Sequence, residues 1–394
     1  MNLFKGSDID GSYTVVNSRD VAVQGRQLAF PTEEINALVE TLSSLVAPSA
    51  STSEQEHRVT QYSPRYRLSF TLLNEDAAAG SSFTEWDVSV AITDHISPIL
   101  SKLSVLHNFT LESQVQFHAP LAFAPRSVGG GFGIDPEDLT VFVNSAEWTL
   151  SSSASNDPVL HFIIFVPSAS HRPLHILNTQ GTISSSTSFL LPQWGSILIL
   201  NPEESIPQPR LSEVSLAPVF STFSKHLLAL LGVAKLPPGV KEAITDNSTL
   251  TDWQLDALLR YRTLSNTQGS KNTLSSIINL ANQIENMPIG YDVKGDIHGA
   301  LVALEQISVL SKTSLTEIFR LSAHAFTLSS RAFFNPGMLA LLYFPAEHKY
   351  AVYTPMFASA MIPLFVAALR EFAAWKKQRK ERKLNAESDA HLND

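Results

Sequence analysis

The stretch YAVYTPMFASAMIPLFVAAL, residues 350–369, contains no charged residue and is followed closely by the basic run WKKQRKERK, residues 375–383. A hydrocarbon core of about 30 Å needs roughly 20 apolar residues in a helix. Tyrosines mark one end of the stretch and Trp375 the other, as in the aromatic belts of membrane helices. A buried core helix is the alternative, but a soluble helix of this length normally has a polar face. The stretch therefore predicts a transmembrane helix over residues 350–369.

The charges beside this helix predict its orientation. Six cations follow it within a few residues: Lys376, Lys377, Arg379, Lys380, Arg382 and Lys383. The positive-inside rule then places the tail, residues 370–394, in the cytosol and the preceding chain in the lumen. Two glycosylation sequons, at Asn108 and Asn247, agree with a lumenal domain.

The N-terminus does not fit that orientation in a simple way, because it has neither a basic n-region nor an apolar h-region. A chain with one C-terminal span and no signal should insert as a tail anchor with its large domain in the cytosol. Either that topology is real, or this sequence lacks an N-terminal span of the native protein. Both alternatives stay open at this point.

Composition excludes several functional classes. The net charge is −9, so nothing favours nucleic acid as a partner. The chain has no cysteine and therefore no disulfide, no thiolate nucleophile and no cysteine-ligated metal. Charged residues make up 16% of the chain, against about 25% in a typical soluble protein, which suggests a membrane segment, a large buried sheet or both.

The hydrophobic pattern before the predicted span changes from strands to helices near residue 205. Apolar and polar residues alternate over 65–74, and PVLHFIIFVPS, residues 158–168, is nearly continuous in apolar residues, which predicts a central strand. Further strands are predicted in 108–120, 139–150 and 197–200. The predicted class is α/β: a mixed sheet flanked by helices over residues 1–205, a helical region over 206–345, the transmembrane helix over 350–369 and the tail over 370–394.

Helical spacing of apolar residues predicts the helices. The N-terminal helix over 31–46 should carry Ile35, Leu38, Leu42 and Val46 on one face, and a helix kinked or restarted at Pro98 should follow the strand over 65–74. A later stripe, ended by Gly232, consists of Leu216, Phe220, Phe223, Leu227 and Leu231. Thr251 and Gln254 have capping-box spacing at the start of another helix.

The local motifs favour no catalytic, cofactor-binding or metal-binding residue. GGGFG, residues 129–133, lacks the lysine and hydroxyl residue of a P-loop and is interpreted as a turn. His171 and His175 have the spacing of helical metal ligands, but Pro173 lies between them and disrupts such a helix. The acidic residues Asp135, Glu137 and Asp138 are interpreted as solvated loop charges, and His118, at a strand end, as structural.

Several stretches together resemble the PIG-S family, a subunit of the glycosylphosphatidylinositol (GPI) transamidase complex. They are NFTLESQVQFHAPLAF (108–123), LTVFVNSAEW (139–148), LLPQWGSILILNP (190–202), WQLDALLRYRTLSN (253–266) with the following NTLSSIINL (272–280), and AFFNPGMLALLYFPAEHKYAVYTPMFASAMIPL (332–364). The resemblance covers the chain from about residue 30 to 375.

The resemblance implies a domain in the lumen of the endoplasmic reticulum, flanked by two membrane helices, of which this sequence lacks the first. It implies a complex that removes a C-terminal signal from a precursor and joins the new carboxyl end to GPI ethanolamine. The nucleophile is a cysteine of the caspase-like subunit PIG-K, so PIG-S is expected to be non-catalytic and to assemble with PIG-K, PIG-T, PIG-U and the GPAA subunit. The family supplies no catalytic motif to transfer to this chain.

Two other functions remain as alternatives: an independent membrane-anchored hydrolase or glycolipid-handling enzyme, and a tail-anchored membrane adaptor facing the cytosol. For partner contacts the sequence suggests the turn at Gln193, Trp194 and Gly195, and the helix face at Ala360. Small residues such as Ala360 let partner helices approach closely in a membrane. A tryptophan in a turn is more often part of a core than a contact residue.

Overall fold

The computed structural model describes residues 3–6, 13–16, 20–24, 32–46, 59–79, 82–143, 148, 150, 155–202, 210–237, 240–242, 250–283, 290–309, 314–336, 338 and 346–391. The chain divides into two compact units. The first consists of residues 1–269 and 302–326, and the second of residues 270–301 and 327–394.

The described strands, in chain order, are β1 Leu3–Gly6, β2 Tyr13–Val16, β3 Asp20–Gln24, β4 Arg65–Asn74, β5 Glu85–Trp86, β6 Asn108–Gln116, β7 Arg126–Val128, β8 Gly131–Ile134, β9 Val159–Val166, β10 Leu174–Ile176, β11 Ser188–Leu191, β12 Gly195–Ile199, β13 Arg210–Leu211 and β14 Val240–Glu242. The described helices are α1 Thr32–Val46, α2 Val88–Ala91, α3 Ser97–Leu103, α4 Glu213–Leu230, α5 Asp252–Gln283, α6 Tyr291–Val309, α7 Leu315–Phe333 and α8 Ala346–His391. One π-helical turn, Ile92–Ile96, joins α2 to α3.

The central element of the first unit is a five-stranded mixed sheet with the order β11-β12-β9-β4-β6. Strands β12, β9, β4 and β6 are parallel, and β11 is antiparallel at one edge. The predicted central strand is confirmed, because β9 lies in the middle and seven of its eight residues are buried. A strand covered on both faces needs apolar residues on both, which is why its sequence does not alternate.

Helices cover one face of this sheet. The side chains of Tyr66, Leu68, Phe70 and Leu72 on β4 point toward them and are buried. Phe70 contacts Phe162 of β9 with ring centroids 5.2 Å apart and Phe220 of α4 at 5.4 Å. The predicted stripe on α4 is fully buried in the same cluster, and Gly232 follows it with φ +83°, a conformation that favours glycine and ends the helix.

The predicted helical segment that runs through α2 and α3 packs on this face. Ile96, Ile99 and Leu103 are buried against the sheet, with Val88 and Ile92 partly buried beside them. Pro98 lies in the first turn of α3, directly after the π-helical turn, so the restart at this proline is confirmed. Proline is tolerated there because its missing N–H has no partner in the first turn anyway.

The other face of the sheet is covered by a small three-stranded sheet with the order β10-β8-β7 and by aromatic side chains of the connecting segments. Phe142 contacts Phe165 of β9 edge-on at 5.1 Å, and Trp148 stacks on the same ring at 5.9 Å. The indole N–H of Trp148 donates a hydrogen bond to the carbonyl of Pro120 at 3.1 Å. The sheet is therefore buried on both sides, which accounts for part of the low charge content of the chain.

The start of α5 confirms the predicted capping box. The backbone N–H of Gln254 donates to Oγ1 of Thr251 at 3.3 Å, and the backbone N–H of Thr251 donates to Oε1 of Gln254 at 3.1 Å. Three turns further along, Arg262 is buried, and its Nη2 donates to the carbonyls of Thr60 at 3.2 Å and Leu231 at 2.9 Å. This guanidinium joins the segment before β4 to the end of α4.

One prediction about local structure was wrong. Residues 139–143 do not form a strand, because a 3₁₀ turn at Asp138–Thr140 leads into irregular chain; residues 144–147 and 149 lie outside the described part. The apolar pattern there reflects Phe142 inserting into the core, not a ladder of strand hydrogen bonds. The predicted helix over 31–46 is present as α1, on which Leu45 is buried and packs with Trp253, whereas Val46 is 39% exposed.

Candidate functional site

The turn between β11 and β12, which the sequence suggested as a partner contact, is held tightly against strand β9. Gln193 is exposed and has φ +59°, and the half-buried Trp194 stacks on the imidazole of His161 with centroids 4.6 Å apart. The backbone N–H of His161 donates to the carbonyl of Trp194 at 3.0 Å. Gly195 is buried with φ +157°, and a Cβ there would lie 2.0 Å from the carbonyl oxygen of His161.

This close approach explains the residue types in the turn. Only glycine can take the position of Gly195, because any side chain would overlap the backbone of His161. The indole of Trp194 packs over the imidazole of His161, so much of the indole contacts the protein itself. Gln193 is the member of the three that is exposed to solvent.

His161 lies beside a buried cation on the same face of the sheet. Burial, followed by the positive charge of Arg67, lowers the pKa of His161 to about 4. Arg67 forms an ion pair with Glu112 at 3.0 Å and donates from Nη2 to the carbonyl of Ser155 at 3.1 Å. Among the described residues, Nδ1 of His161 has no hydrogen-bond partner. The imidazole is therefore neutral at pH 7 and acts as a packing surface for Trp194.

A second polar cluster lies at the carboxyl ends of β4 and β9, the edge where open α/β sheets usually bind ligands. Nδ1 of His171 lies 2.5 Å from Oε1 of the buried Glu75, and Oε2 of Glu75 accepts the backbone N–H of Ser168 at 2.8 Å. The hydroxyls of Ser168 and Ser170 contact each other at 2.9 Å. Arg172 donates from Nε to the carbonyl of Pro167 at 2.7 Å.

A histidine paired with a carboxylate could orient a general base, but the hydrogen bonds of this cluster point to a different role. Glu75 ties the loop after β9 to the end of β4, and the ring of His171 packs edge-on against Phe132 at 5.5 Å. The two hydroxyls pair with each other, and the described contacts bring neither of them to the imidazole. The arrangement is that of a structural connection between two strand ends.

The C-terminal helix is the third candidate surface. Within residues 350–382 of α8, the most apolar 18-residue window has a mean hydropathy of 1.7, so this helix is long and apolar enough to cross a membrane. Large apolar side chains are exposed along it, among them Phe357, Leu364 and Phe365. Ala360 is exposed on the same helix. Such a surface is stable only in lipid or against other apolar helices.

Comparison with known proteins identifies the family. The profile of the family described as phosphatidylinositol-glycan biosynthesis class S protein (PIG-S) matches residues 16–378. The chain belongs to the PIG-S family. The chain is 31% identical over 373 residues to the mouse GPI-anchor transamidase component PIGS, which covers 90% of this chain and 67% of the relative.

Relatives in two other organisms give the same result. The human GPI-anchor transamidase component PIGS is 30% identical over 373 residues, covering 90% of this chain and 67% of the relative. The PIG-S homolog of the Schizosaccharomyces pombe GPI transamidase is 32% identical over 340 residues, covering 86% of this chain and 58% of the relative.

In this PIG-S chain, the residues that the sequence analysis considered as sites lie on different elements that are far apart in sequence. Asn108 is exposed at the start of β6, which is an edge strand of the five-stranded sheet, whereas Asn247 lies outside the described residues. Gly129 and Gly130 form the turn between β7 and β8, as expected for GGGFG. His171 and His175 lie on a 3₁₀ turn and on β10.

The sequence of this PIG-S chain did not reveal the pairing of Glu75 with His171, because the two residues are 96 positions apart. A usable signal was present, since Glu75 directly follows the strand that ends at Asn74, and Ser168 stands two residues after the strand that ends at Val166. Polar residues at such strand ends meet at one edge of a parallel sheet.

Proposed function

We propose that this chain is a non-catalytic subunit of the GPI transamidase complex, supporting the attachment of GPI anchors to precursor proteins in the endoplasmic reticulum. The observation that carries the proposal is the match of the PIG-S family over residues 16–378, together with relatives named as components of that transamidase.

The absence of cysteine from the sequence supports a non-catalytic role. The family resemblance implies that the nucleophile is a cysteine of PIG-K, and a chain without cysteine cannot supply a thiolate. The described polar groups also support this role, because Glu75 and His171 connect strand ends and the nearby hydroxyls bond to each other.

The proposed arrangement places residues 1–205 and 206–345 in the lumen, the helix over 350–369 in the membrane and residues 370–394 in the cytosol. The cations after the helix support this orientation through the positive-inside rule. The exposure of Asn108 on an edge strand supports it as well, because glycosylation needs an accessible asparagine.

The proposed partners are the other subunits PIG-K, PIG-T, PIG-U and the GPAA subunit. For lumenal contacts we favour the turn at Gln193, whose exposed side chain is presented by a rigid hairpin anchored through Trp194 and Gly195. For membrane contacts we favour the face of α8 that carries Ala360, since small residues permit close approach of helices.

The test is replacement of the resident subunit. A tagged chain, made with and without an added N-terminal signal anchor, is expressed in cells whose own PIG-S family member has been deleted. We expect at least one form to restore a GPI-anchored reporter at the cell surface and to co-purify the four other subunits. Recovery of no subunit by either form, with both forms stable in the membrane, would contradict the proposal.

A double variant separates the supporting role from the enzyme alternative. Glu75→Gln with His171→Gln removes the only acid–base pair described at the carboxyl edge of the sheet. If the chain is non-catalytic, anchoring of the reporter should change only in proportion to the amount of complex recovered. Normal complex recovery with complete loss of anchoring would indicate an enzyme instead.

A further inference from the structure

The basic run after the membrane helix forms a surface that the proposed function does not use. Helix α8 continues without interruption from Ala346 to His391, so the run is a direct extension of the membrane-crossing segment. Six of the eight residues over 376–383 are cationic, in a chain whose net charge is −9. The side chains of residues 376–382 are exposed.

The spacing of these cations puts several of them on one side of the helix. Lys376, Arg379 and Lys380 are related as i, i+3 and i+4, so they are neighbours on the helix surface. The guanidinium carbon of Arg379 lies 5.3 Å from the ring centroid of Trp375. This contact places an interfacial aromatic residue directly beside the cationic face, as expected at a membrane surface.

The distance from the apolar stretch also puts the first of these cations within side-chain reach of phospholipid headgroups. With a rise of 1.5 Å per residue, Lys376 lies about 10 Å beyond Leu369 along the helix axis. The polar layer of a bilayer extends roughly 5–8 Å beyond the hydrocarbon core on each side. Lysine and arginine stems are long enough to reach back into that layer. Lys376 can therefore reach phosphate and carboxylate groups within that layer, and Arg379, about 15 Å beyond Leu369 along the helix axis, can reach its outer edge.

We propose that residues 376–382 form a binding site for anionic phospholipid headgroups on the side of the membrane where the tail leaves the bilayer. The recognised chemistry is a lipid phosphate with an additional negative charge, as in phosphatidylserine. Clustered cations next to a membrane helix bind such lipids in proportion to their number. The proposal requires that α8 lies in a bilayer and does not depend on which complex the chain belongs to.

The experiment compares lipid retention by the full-length chain. The purified protein is placed in nanodiscs of phosphatidylcholine mixed with phosphatidylserine, re-extracted, and its bound lipids are quantified by mass spectrometry. The test variant carries Lys376→Gln, Arg379→Gln and Lys380→Gln. The matched control carries Lys225→Gln, Lys235→Gln and Lys271→Gln, three exposed cations outside α8, and therefore has the same net charge.

We expect the unchanged protein and the control to be enriched in phosphatidylserine, and the enrichment to fall as salt is added. At low salt, the phosphatidylserine enrichment of the test variant should fall roughly fivefold for each cation removed. Hydrogen exchange of the amides over 376–391 gives a second readout, with slower exchange in nanodiscs that contain phosphatidylserine than in pure phosphatidylcholine.

Three results would overturn the proposal. Equal lipid retention by the test variant and the control would show that these cations do not select the lipid. Slow exchange in pure phosphatidylcholine after addition of millimolar inorganic phosphate alone would assign the site to free anions. Slow exchange that appears only when other subunits are present, regardless of the lipid, would assign the basic face to an acidic protein surface.

Discussion

Oε1 of Glu75 lies 2.5 Å from Nδ1 of His171, so a carboxylate at the end of one central strand holds the loop that follows the neighbouring strand. Only 7% of the Glu75 side chain is exposed, and its second oxygen accepts the backbone N–H of Ser168. The pair therefore fixes the carboxyl edge of the sheet in the same way as a short cross-link would.

Replacing this carboxylate should lower stability without a specific loss of function. Glu75→Gln keeps the shape but weakens two charge-assisted hydrogen bonds, so the free energy of unfolding should fall by about 1–3 kcal/mol. Denaturant unfolding of the purified protein measures this. Asp76→Asn, on the half-buried neighbouring residue, is the control. Oδ1 of Asp76 accepts the backbone N–H of Ala78 at 3.0 Å, and the amide oxygen of asparagine can accept the same bond, so stability should change by less than about 0.5 kcal/mol. Similar losses of unfolding free energy in both variants would show that the buried pair contributes no more to stability than the neighbouring carboxylate does.

The approach of Gly195 to His161 predicts a strong effect of a single methyl group. Gly195→Ala would place a Cβ 2.0 Å from the carbonyl oxygen of His161, so the hairpin must move away from β9. We expect a loss of at least ~2 kcal/mol in unfolding free energy. Gly129→Ala is a matched control, since nothing lies within 4 Å of its added Cβ. If Gly195→Ala folds with unchanged stability, the described packing of this turn is wrong.

Two buried histidines predict how stability depends on pH. Burial is the main cause that lowers the pKa of His107 and of His161 from 6.5 to about 4. Between about pH 4 and pH 6.5 the unfolded chain binds protons at these histidines that the folded chain does not bind. The free energy of unfolding should therefore fall as the pH decreases from about 6.5 to about 4.

Each histidine should contribute roughly 1–3 kcal/mol to this loss. Unfolding free energies measured across the pH range for the unchanged protein and for His161→Gln test the assignment, because the variant should show a shallower decline. His118→Gln, which changes an exposed histidine, serves as the control and should keep the full slope. If His161→Gln leaves the slope of the unfolding free energy against pH unchanged, His161 does not contribute to this pH dependence.

Substitutions on two different sides of the membrane helix should differ in their effect on recovery of the complex. Ala360→Leu adds bulk on the face proposed for helix contacts and should reduce recovery of the complex several-fold. Ala358→Leu adds the same bulk about 200° around the helix and should leave recovery near normal. Co-purification of the other subunits from detergent extracts measures both. An equal effect of the two substitutions would argue against a specific face.

The exposed position of Asn108 predicts a glycan if the domain is lumenal. The expressed chain should then shift in mobility on endoglycosidase treatment, and Asn108→Gln together with Asn247→Gln should abolish the shift. The single variants show which sequon is used. Absence of any shift, even after an N-terminal signal anchor is added, would contradict use of these sequons and remove their support for a lumenal domain.

Much of this fold could be predicted, because the local residue pattern of several elements reflects how those elements pack in the fold. The apolar run of β9, the stripe of α4 and the capping box of α5 each reflect a requirement of the element itself. The segment around Phe142 could not be assigned, because a single inserted aromatic ring gives the same apolar pattern as a strand. The candidate sites depend on contacts between distant residues, as for Glu75 and His171, and no local spacing encodes them.

The contacts of Arg262 also have a consequence for synthesis of the protein. Its guanidinium binds the carbonyl of Thr60, 202 positions earlier, so this contact cannot form until Arg262 has left the ribosome. At elongation rates of about 5–20 residues per second, the early strands wait roughly 10–40 s for this partner. The apolar strand β4 lacks this partner for nearly all of that interval and β9 for about its second half, and chaperones that shield them should determine how much of the protein reaches its folded state.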